Sequence, residues 1–295
     1  MNILIPVAAY HEYNTAVYVE KALRQLGHQA DVITQAEFYG DYPEVDLFFC
    51  VDSAGPLDFP EKHLSKCAMW FIDSRHNNDP ARRKPDDDTS AKKLAGGGGW
   101  VFQAQKQDWQ RNVEQGVVRS SWLPLAADPE VWCPDPDIEK AYDVGFGGNI
   151  WCETRRELLD RIARKHSLGQ FLGTPQALAG GYNASRVGFN VSSFYGGPVA
   201  YDINMRVFEV MACAIPLVTN HLRELRELGI LPSFHCMTYE NPDGAMAQIR
   251  LALQRSEDYR QEMGIRARQL IVDGHTYKHR MEEALEILTE AGMVE

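Results

Sequence analysis

Short apolar runs alternate with stretches of helical periodicity along most of the chain. NILIPVAA (Asn2 to Ala9) is nearly continuous in apolar residues, the pattern of a strand buried on both faces. From Asn14 to Leu26 the apolar positions Val17, Ala22, Leu23 and Leu26 fall on one side of a helix, and Gly27 closes it. QADVIT (Gln29 to Thr34) follows as a strand, completing a βαβ unit with a right-handed crossover. VDLFFCVD (Val45 to Asp52), CAMWFID (Cys67 to Asp73), WVFQAQ from Trp100 and VVRSSWLPL from Val117 continue as strands, with a helix over Asp108 to Gly116. The pattern predicts a first doubly wound α/β domain.

A second series follows. YDVGFGG (Tyr142 to Gly148), LGQFLG (Leu168 to Gly173), VGFNVS (Val187 to Ser192), IPLVTN to Asn220 and SFHCMTY (Ser233 to Tyr239) read as strands. Helices are expected over Thr154 to Lys165, 221–229, 242–255, 257–272 and 276–291. Two segments break the periodicity. Ser74 to Gly99 has no apolar period, two prolines and four consecutive glycines, and is expected to be a long polar loop that either stays solvated or closes on a partner. Leu125 to Asp137, rich in proline and aspartate, is expected to be a linker.

Composition narrows the class. With 295 residues, 44% of them hydrophobic and 24% charged, the chain suits one large or two medium globular domains. No apolar run is long enough to span a membrane, and residues 1–10 lack the features of a signal peptide, so the expected location is the cytoplasm. The six cysteines have neither metal-ligand nor redox spacing and are expected to be reduced thiols. A net charge of −11 argues against general nucleic-acid binding.

The stretch with the clearest chemistry is Tyr201 to Asn220, YDINMRVFEVMACAIPLVTN. Asp202 suits an N-cap, Val207, Val210 and Met211 share a face, and Pro216 ends the helix before a buried strand. A helix N-terminus favours phosphate. Arg206 in the first turn adds a planar charged fork, and Glu209, one turn on, is placed to accept from both hydroxyls of a ribose. The alternative is an ordinary capped helix with a surface Arg–Glu pair.

Five blocks, taken in order, resemble the GT-B glycosyltransferases, in the group 1 or CgeB-like (spore-maturation-protein-like) branch: VFQAQKQDWQ…WLPLAADPEVW, YDVGFGGN…RRELL, YNASRVGFNVS, DINMRVFEVMACAIPLVTN and HTYKHRMEEAL. The resemblance implies two Rossmann-like domains facing across a cleft, 1–126 on the acceptor side and 127–274 binding the nucleotide-sugar, with 275–295 a helix crossing back to the first. It implies a glycosyltransferase with no prosthetic group and no divalent metal. The donor is expected to be a nucleotide-sugar, most simply a UDP-sugar. The acceptor stays open among protein, glycan, lipid carrier and modified nucleobase. Asp86–Asp88 lie in the polar segment and are not expected to bind metal, and His275 and His279 find no third ligand.

Carried over residue by residue, Glu209 matches the ribose-holding glutamate, and Arg206 and Asn204 match polar positions at the start of its helix. Where the family often has another glutamate near the donor sugar, this chain has Tyr201 and Asp202, which leaves the sugar undefined. Gly147, Gly148 and Asn149 end the first strand of the second domain, either letting backbone approach a ligand or making a tight turn. Arg155 is a candidate for the diphosphate, with Arg156 beside it. Gly173 stands where the family's base stacks near backbone, and Tyr182 either frames that pocket or packs. In the first domain Tyr10 and His11 follow the first strand on the acceptor side. Asp73 and His76 follow strand CAMWFID and are candidates to orient or deprotonate an acceptor hydroxyl. With retention, the leaving diphosphate assists deprotonation, and the protein's part is electrostatic. The rival functions are a sugar-nucleotide epimerase or hydrolase of the same fold, and a non-catalytic nucleotide-binding scaffold.

Overall fold

The computed structural model describes residues 1–7, 10, 14–34, 44–51, 61–72, 86–150, 153–192 and 203–295. The chain divides into two compact units, Met1–Leu125 with Tyr277–Glu295, and Ala126–Thr276.

The first unit runs β1 (Asn2–Val7), α1 (Thr15–Gln25), β2 (Gln29–Thr34), β3 (Leu47–Val51), a 3-10 turn (Glu61–Lys66), β4 (Cys67–Phe71), α2 (Asp86–Gly96), β5 (Trp100–Gln103), α3 (Lys106–Glu114) and β6 (Ser120–Trp122). Among the described residues these strands form one parallel sheet in the order β2-β1-β3-β4-β5-β6. The apolar runs predicted as strands are its centre: every residue of β3 and β4 is buried. Asn14 caps α1, its side chain accepting from the Ala16 amide at 3.1 Å.

The second unit runs β7 (Tyr142–Gly147), α4 (Glu153–Ala163), β8 (Leu168–Phe171), α5 (Pro175–Asn183), β9 (Ser185–Phe189), α6 (Met205–Ala212), β10 (Leu217–Asn220), α7 (Glu224–Glu227), β11 (Cys236–Tyr239), α8 (Pro242–Gln254) and α9 (Glu257–Gly274). Its parallel sheet has the order β11-β10-β9-β7-β8. Val144, Phe146, Val187, Phe189 and Val218 from the strands pack with Leu158, Leu159 and Ile162 of α4 and Ile249 of α8 as its core. The last helix, α10 (Tyr277–Glu290), belongs to the first unit. Its Tyr277 ring stacks on Tyr18 of α1 with centroids 5.0 Å apart, and the buried Arg280 Nε donates to the Pro124 carbonyl at 2.7 Å.

Three expectations are corrected. The segment 74–99 is not a loop throughout: its second half is α2, which buries Ser90, Ala91 and Leu94 against the first sheet. The glycines after it serve close packing, since a Cβ at Gly97 would stand 2.6 Å from Leu64 of the 3-10 turn. Closure of 74–99 as one loop therefore falls away, and 73–85 lie outside the described residues. The expected linker is mostly part of the second unit. Ala127 N–H donates to the His275 carbonyl at 3.1 Å, and the buried Trp132 packs on Tyr182 with centroids 6.2 Å apart. Finally, Asn204 rather than Asp202 is the N-cap residue of α6; Asp202 lies outside the described residues.

Candidate active site

In the second sheet the chain runs from β7 outward to β8, then returns to the other side of β7 as β9. The direction of winding reverses between β7 and β9, and in open parallel sheets ligands collect at the carboxyl ends of strands at such a point. The residues at those two strand ends are Gly147, the last of β7, with Gly148 after it, and Asn190 after β9.

Arg206, in the first turn of α6, joins them. Its Nε donates to the Gly147 carbonyl, and its Nη1 donates to Asn190 Oδ1 at 2.8 Å. Its guanidinium carbon lies 4.7 Å from the centre of the buried Phe146 ring. Nη2 has no hydrogen-bond partner among the described residues and faces Gly148, where a Cβ would collide with it. Gly148 has φ +118°, a conformation that side-chain-bearing residues rarely adopt, so both backbone and guanidinium call for glycine there. The helix that carries Arg206 is set by Val207, Phe208, Val210, Met211 and Ala212, all buried.

Asn190 is fully buried. Besides accepting from Arg206 it donates through Nδ2 to Ser192 Oγ and Thr219 Oγ1, each at 2.9 Å. Ser192 Oγ also accepts from Asn204 Nδ2 at 3.2 Å, while the Ser192 amide donates to Asn220 Oδ1 at 2.6 Å. The Tyr239 hydroxyl closes the set by donating to the Asn190 carbonyl at 2.9 Å. Amides and hydroxyls thus tie together the ends of β9, β10 and β11. Asn204 does not cap α6 with its side chain, and its Oδ1 is buried without a partner among the described residues.

Glu209 stands one turn beyond Arg206, partly buried, with no hydrogen bond or ion pair among the described residues. Burial pushes its carboxyl up from 4.5 to about 7, with the Arg206 charge pulling the other way. A carboxylate kept from its own partners beside a fixed guanidinium can accept from ligand hydroxyls while the guanidinium meets an anion.

Other expected site residues take different places. Arg155 is buried in α4 and donates to the Asn149 carbonyl at 2.6 Å and the Val191 carbonyl at 3.2 Å, so it ties the residues just after β7 to those just after β9. Tyr182 is fully buried, with its hydroxyl against Gly147 and its ring edge-on to Phe171 with centroids 6.2 Å apart; burial raises its pKa. Gly173 follows β8 with φ +114° and open space around it. In the first unit Tyr10 is 56% exposed just after β1. His11, Asp73, His76, Tyr201 and Asp202 lie outside the described residues. Among the described residues no group of three or more His, Cys, Asp or Glu is arranged to hold a metal ion, and no helix is long and apolar enough to cross a membrane. The five described cysteines are free thiols. Sequence reasoning missed Asn190 and its hydroxyl partners. The available signal was a polar residue inside the buried run VGFNVS, just where β9 ends.

A family model described as glycosyl transferase-like matches residues 137–286, just over half of the chain. No curated protein matches it. Among solved structures the chain is similar to sucrose-phosphate synthase from Thermosynechococcus elongatus, with 10% identity over 98% of this chain and 99% of that one and a TM-score of 0.68. It is similar to an alpha-glucosyltransferase in complex with UDP and a 13-mer DNA containing an HMU base, with 10% identity over 98% and 99% and a TM-score of 0.67. It is also similar to a mutant of TarM from S. aureus in complex with Fondaparinux, alpha-GlcNAc-glycerol and UDP, with 13% identity over 93% of this chain and 59% of that one and a TM-score of 0.63. At these identities the likeness speaks for the fold alone, which is GT-B with two parallel α/β units.

Proposed function

The chain belongs to the glycosyl transferase-like family, and from that premise we propose that it moves a sugar from a uridine diphosphate sugar to an acceptor hydroxyl, with retention and without a divalent metal. The observation that carries the site is Arg206: a cation held across the two strand ends at the point where the sheet's winding reverses, with one nitrogen left over. Arg206 Nη2 and the Gly147–Gly148 turn hold the diphosphate, and Glu209 accepts from the ribose hydroxyls. The open backbone at Gly173 receives the base. Asn204 lies at the diphosphate end, and Tyr201 and Asp202 are kept as candidates for the donor sugar. Arg155, Asn149 and Tyr182 act indirectly, by fixing the loops that make contact.

In the reaction the bond from the sugar's anomeric carbon to the diphosphate oxygen breaks as the bond to the acceptor oxygen forms. The acceptor proton passes to the departing phosphate on the same face. Charge therefore builds on the diphosphate, and a preorganised guanidinium stabilises it more in the transition state than before. Tyr10 and His11, with Asp73 and His76, serve the acceptor side.

The uridine base is supported by similar proteins crystallised with UDP. The narrower kinship to CgeB-like proteins rests on the five sequence blocks. One similar protein is bound to a DNA containing an HMU base and another to Fondaparinux and alpha-GlcNAc-glycerol. Modified nucleobase and glycan acceptors are accordingly the first to try, alongside protein and lipid carriers. A thermal-shift panel of nucleotides and nucleotide-sugars, followed by product analysis with acceptor pools, tests the reading. UDP-sugars should raise the melting temperature, as any ligand that binds only the folded state does, and sugar should appear on an acceptor. A panel with no stabilising nucleotide overturns the proposal. Conversion of the donor to an epimer, or to free sugar alone, assigns a different reaction to the same site.

A further inference from the structure

Every group in hydrogen-bond or ring contact with the Arg206 guanidinium among the described residues is neutral, and the nearby Glu209 carboxyl feels its charge without forming an ion pair. Nε meets a backbone carbonyl, Nη1 meets an amide oxygen, and the flat face meets a phenyl ring. Buried or half-buried cations are ordinarily matched by a carboxylate; Arg206 makes no ion pair among the described residues. The amide partner is the choice that needs explaining. At position 190 an aspartate would have nearly the same shape and would bind a guanidinium more strongly.

The orientation of Asn190 is settled by its surroundings. Arginine can only donate, so the amide oxygen must face it. The amide nitrogen then falls on Ser192 Oγ and Thr219 Oγ1, which accept from it at 2.9 Å. The side chain is therefore held at both ends, within a site that is fully buried.

We propose that Asn190 is a positioning residue that fixes Arg206 at the strand-end crevice without cancelling its charge, leaving that charge for the donor diphosphate. The inference rests on the nucleotide-sugar reading of the site. It adds that neutrality at position 190 is a requirement of the site. A carboxylate there would take the place of the ligand's own negative charge. The hydroxyls of Ser192 and Thr219 can rotate from accepting to donating, so Asn190→Asp can keep the local hydrogen bonds and the fold while neutralising the cation.

The test compares the whole wild-type chain with Asn190→Asp and Asn190→Ala, using uridine and UDP as probes in NMR titration and calorimetry. Uridine reads the shape of the pocket, and UDP adds the charge. Asn190→Asp is expected to weaken UDP by at least about tenfold, in the range of a lost charge-assisted contact, and to leave uridine binding unchanged. Asn190→Ala keeps the cation and loses the tether, so UDP affinity should stay within about threefold while kcat with a UDP-sugar falls about tenfold or more, as for a loosened transition-state donor. Equal loss of uridine and UDP in the Asp variant would show pocket damage and overturn the inference. So would wild-type UDP affinity in the Asp variant, or a loss in the Ala variant as large as in the Asp variant. If Asn190→Asp does not fold, the Ala variant decides alone: retained UDP affinity with kcat lowered about tenfold or more supports the proposal, and either a loss of UDP affinity of about tenfold or an unchanged kcat defeats it. A wild-type chain that binds neither probe removes the nucleotide reading itself, an outcome distinct from all of these.

Discussion

Replacing Glu209 by glutamine should make the protein more stable and less able to hold a nucleotide. The carboxyl's pKa is pushed from 4.5 to about 7 because burial disfavours its charged form more than Arg206 favours it. At roughly 1.4 kcal/mol per pH unit, that gap corresponds to about 3 kcal/mol. Glu209 keeps some contact with solvent, which screens the charge, so about 3 kcal/mol is a ceiling. The sign follows from which state holds the proton. Below pH 4.5 the carboxyl is protonated whether the chain is folded or not, and the site costs nothing. Between 4.5 and about 7 the unfolded chain ionises while the folded one keeps its proton, so stability falls as pH rises; above about 7 the full cost is present. Urea melts of wild type and Glu209→Gln at about pH 5 and about pH 8 read this difference directly. The glutamine variant should gain up to about 3 kcal/mol at the higher pH and less than about 1 at the lower. Calorimetry on the same samples should show UDP-sugar affinity reduced by about tenfold or more, the loss of hydrogen bonds to a charged acceptor. A stability difference that does not change with pH, or a folded variant with unchanged affinity, would refute the reasoning.

Three further outcomes are expected. Arg206→Ala should lower kcat by on the order of a hundredfold with a smaller effect on the donor KM, and Arg206→Lys should rescue only in part because the two-pronged geometry is lost; steady-state kinetics decide, and near-normal kcat in the alanine variant would remove Arg206 from catalysis. Gly148→Ala should cost about 1–3 kcal/mol in a denaturant melt, from the positive φ, and should depress donor affinity through the collision with Nη2; an alanine variant matching wild type in both contradicts the geometry. Activity should persist in excess chelator, and activity lost to chelator and restored by Mg²⁺ or Mn²⁺ would reverse the metal-free reading.

The strands and most helices were legible because burial leaves its period in the sequence. QADVIT is a strand from end to end, and the runs at Leu47–Val51 and Cys67–Phe71 are wholly buried. What escaped did so where few large apolar residues are needed. α2 buries only Ser90, Ala91 and Leu94 among its described side chains, too few to show a helical stripe. α5, PQALAGGYN, looks like a turn until one sees that a Cβ at Gly181 would strike the Phe171 ring, so glycine there serves close packing within a helix. Thr174 before Pro175 was a helix-start signal in plain view. In the site, Arg206 and Glu209 share one helix, and their spacing shows in the text. Asn190 lies sixteen residues from its partner in sequence, and its meaning appears only when β9 and α6 are brought together. Arg155 illustrates the opposite limit: residue type suggested a ligand contact, and nothing in the sequence signalled that it is buried and donates to the Asn149 and Val191 carbonyls.

The return of α10 to the first unit also bears on how the protein is made. Ribosomal synthesis delivers the first six strands early, but the helix whose Tyr277 stacks on Tyr18 and whose Arg280 meets Pro124 emerges only after the whole second unit. The unit Ala126–Thr276 is continuous in sequence, so it has all of its parts while the first unit still lacks one. Until α10 arrives, the side chains it covers are left to water or to a chaperone. The order of birth is thus the reverse of the order of completion: the unit begun first is finished only after the second is whole.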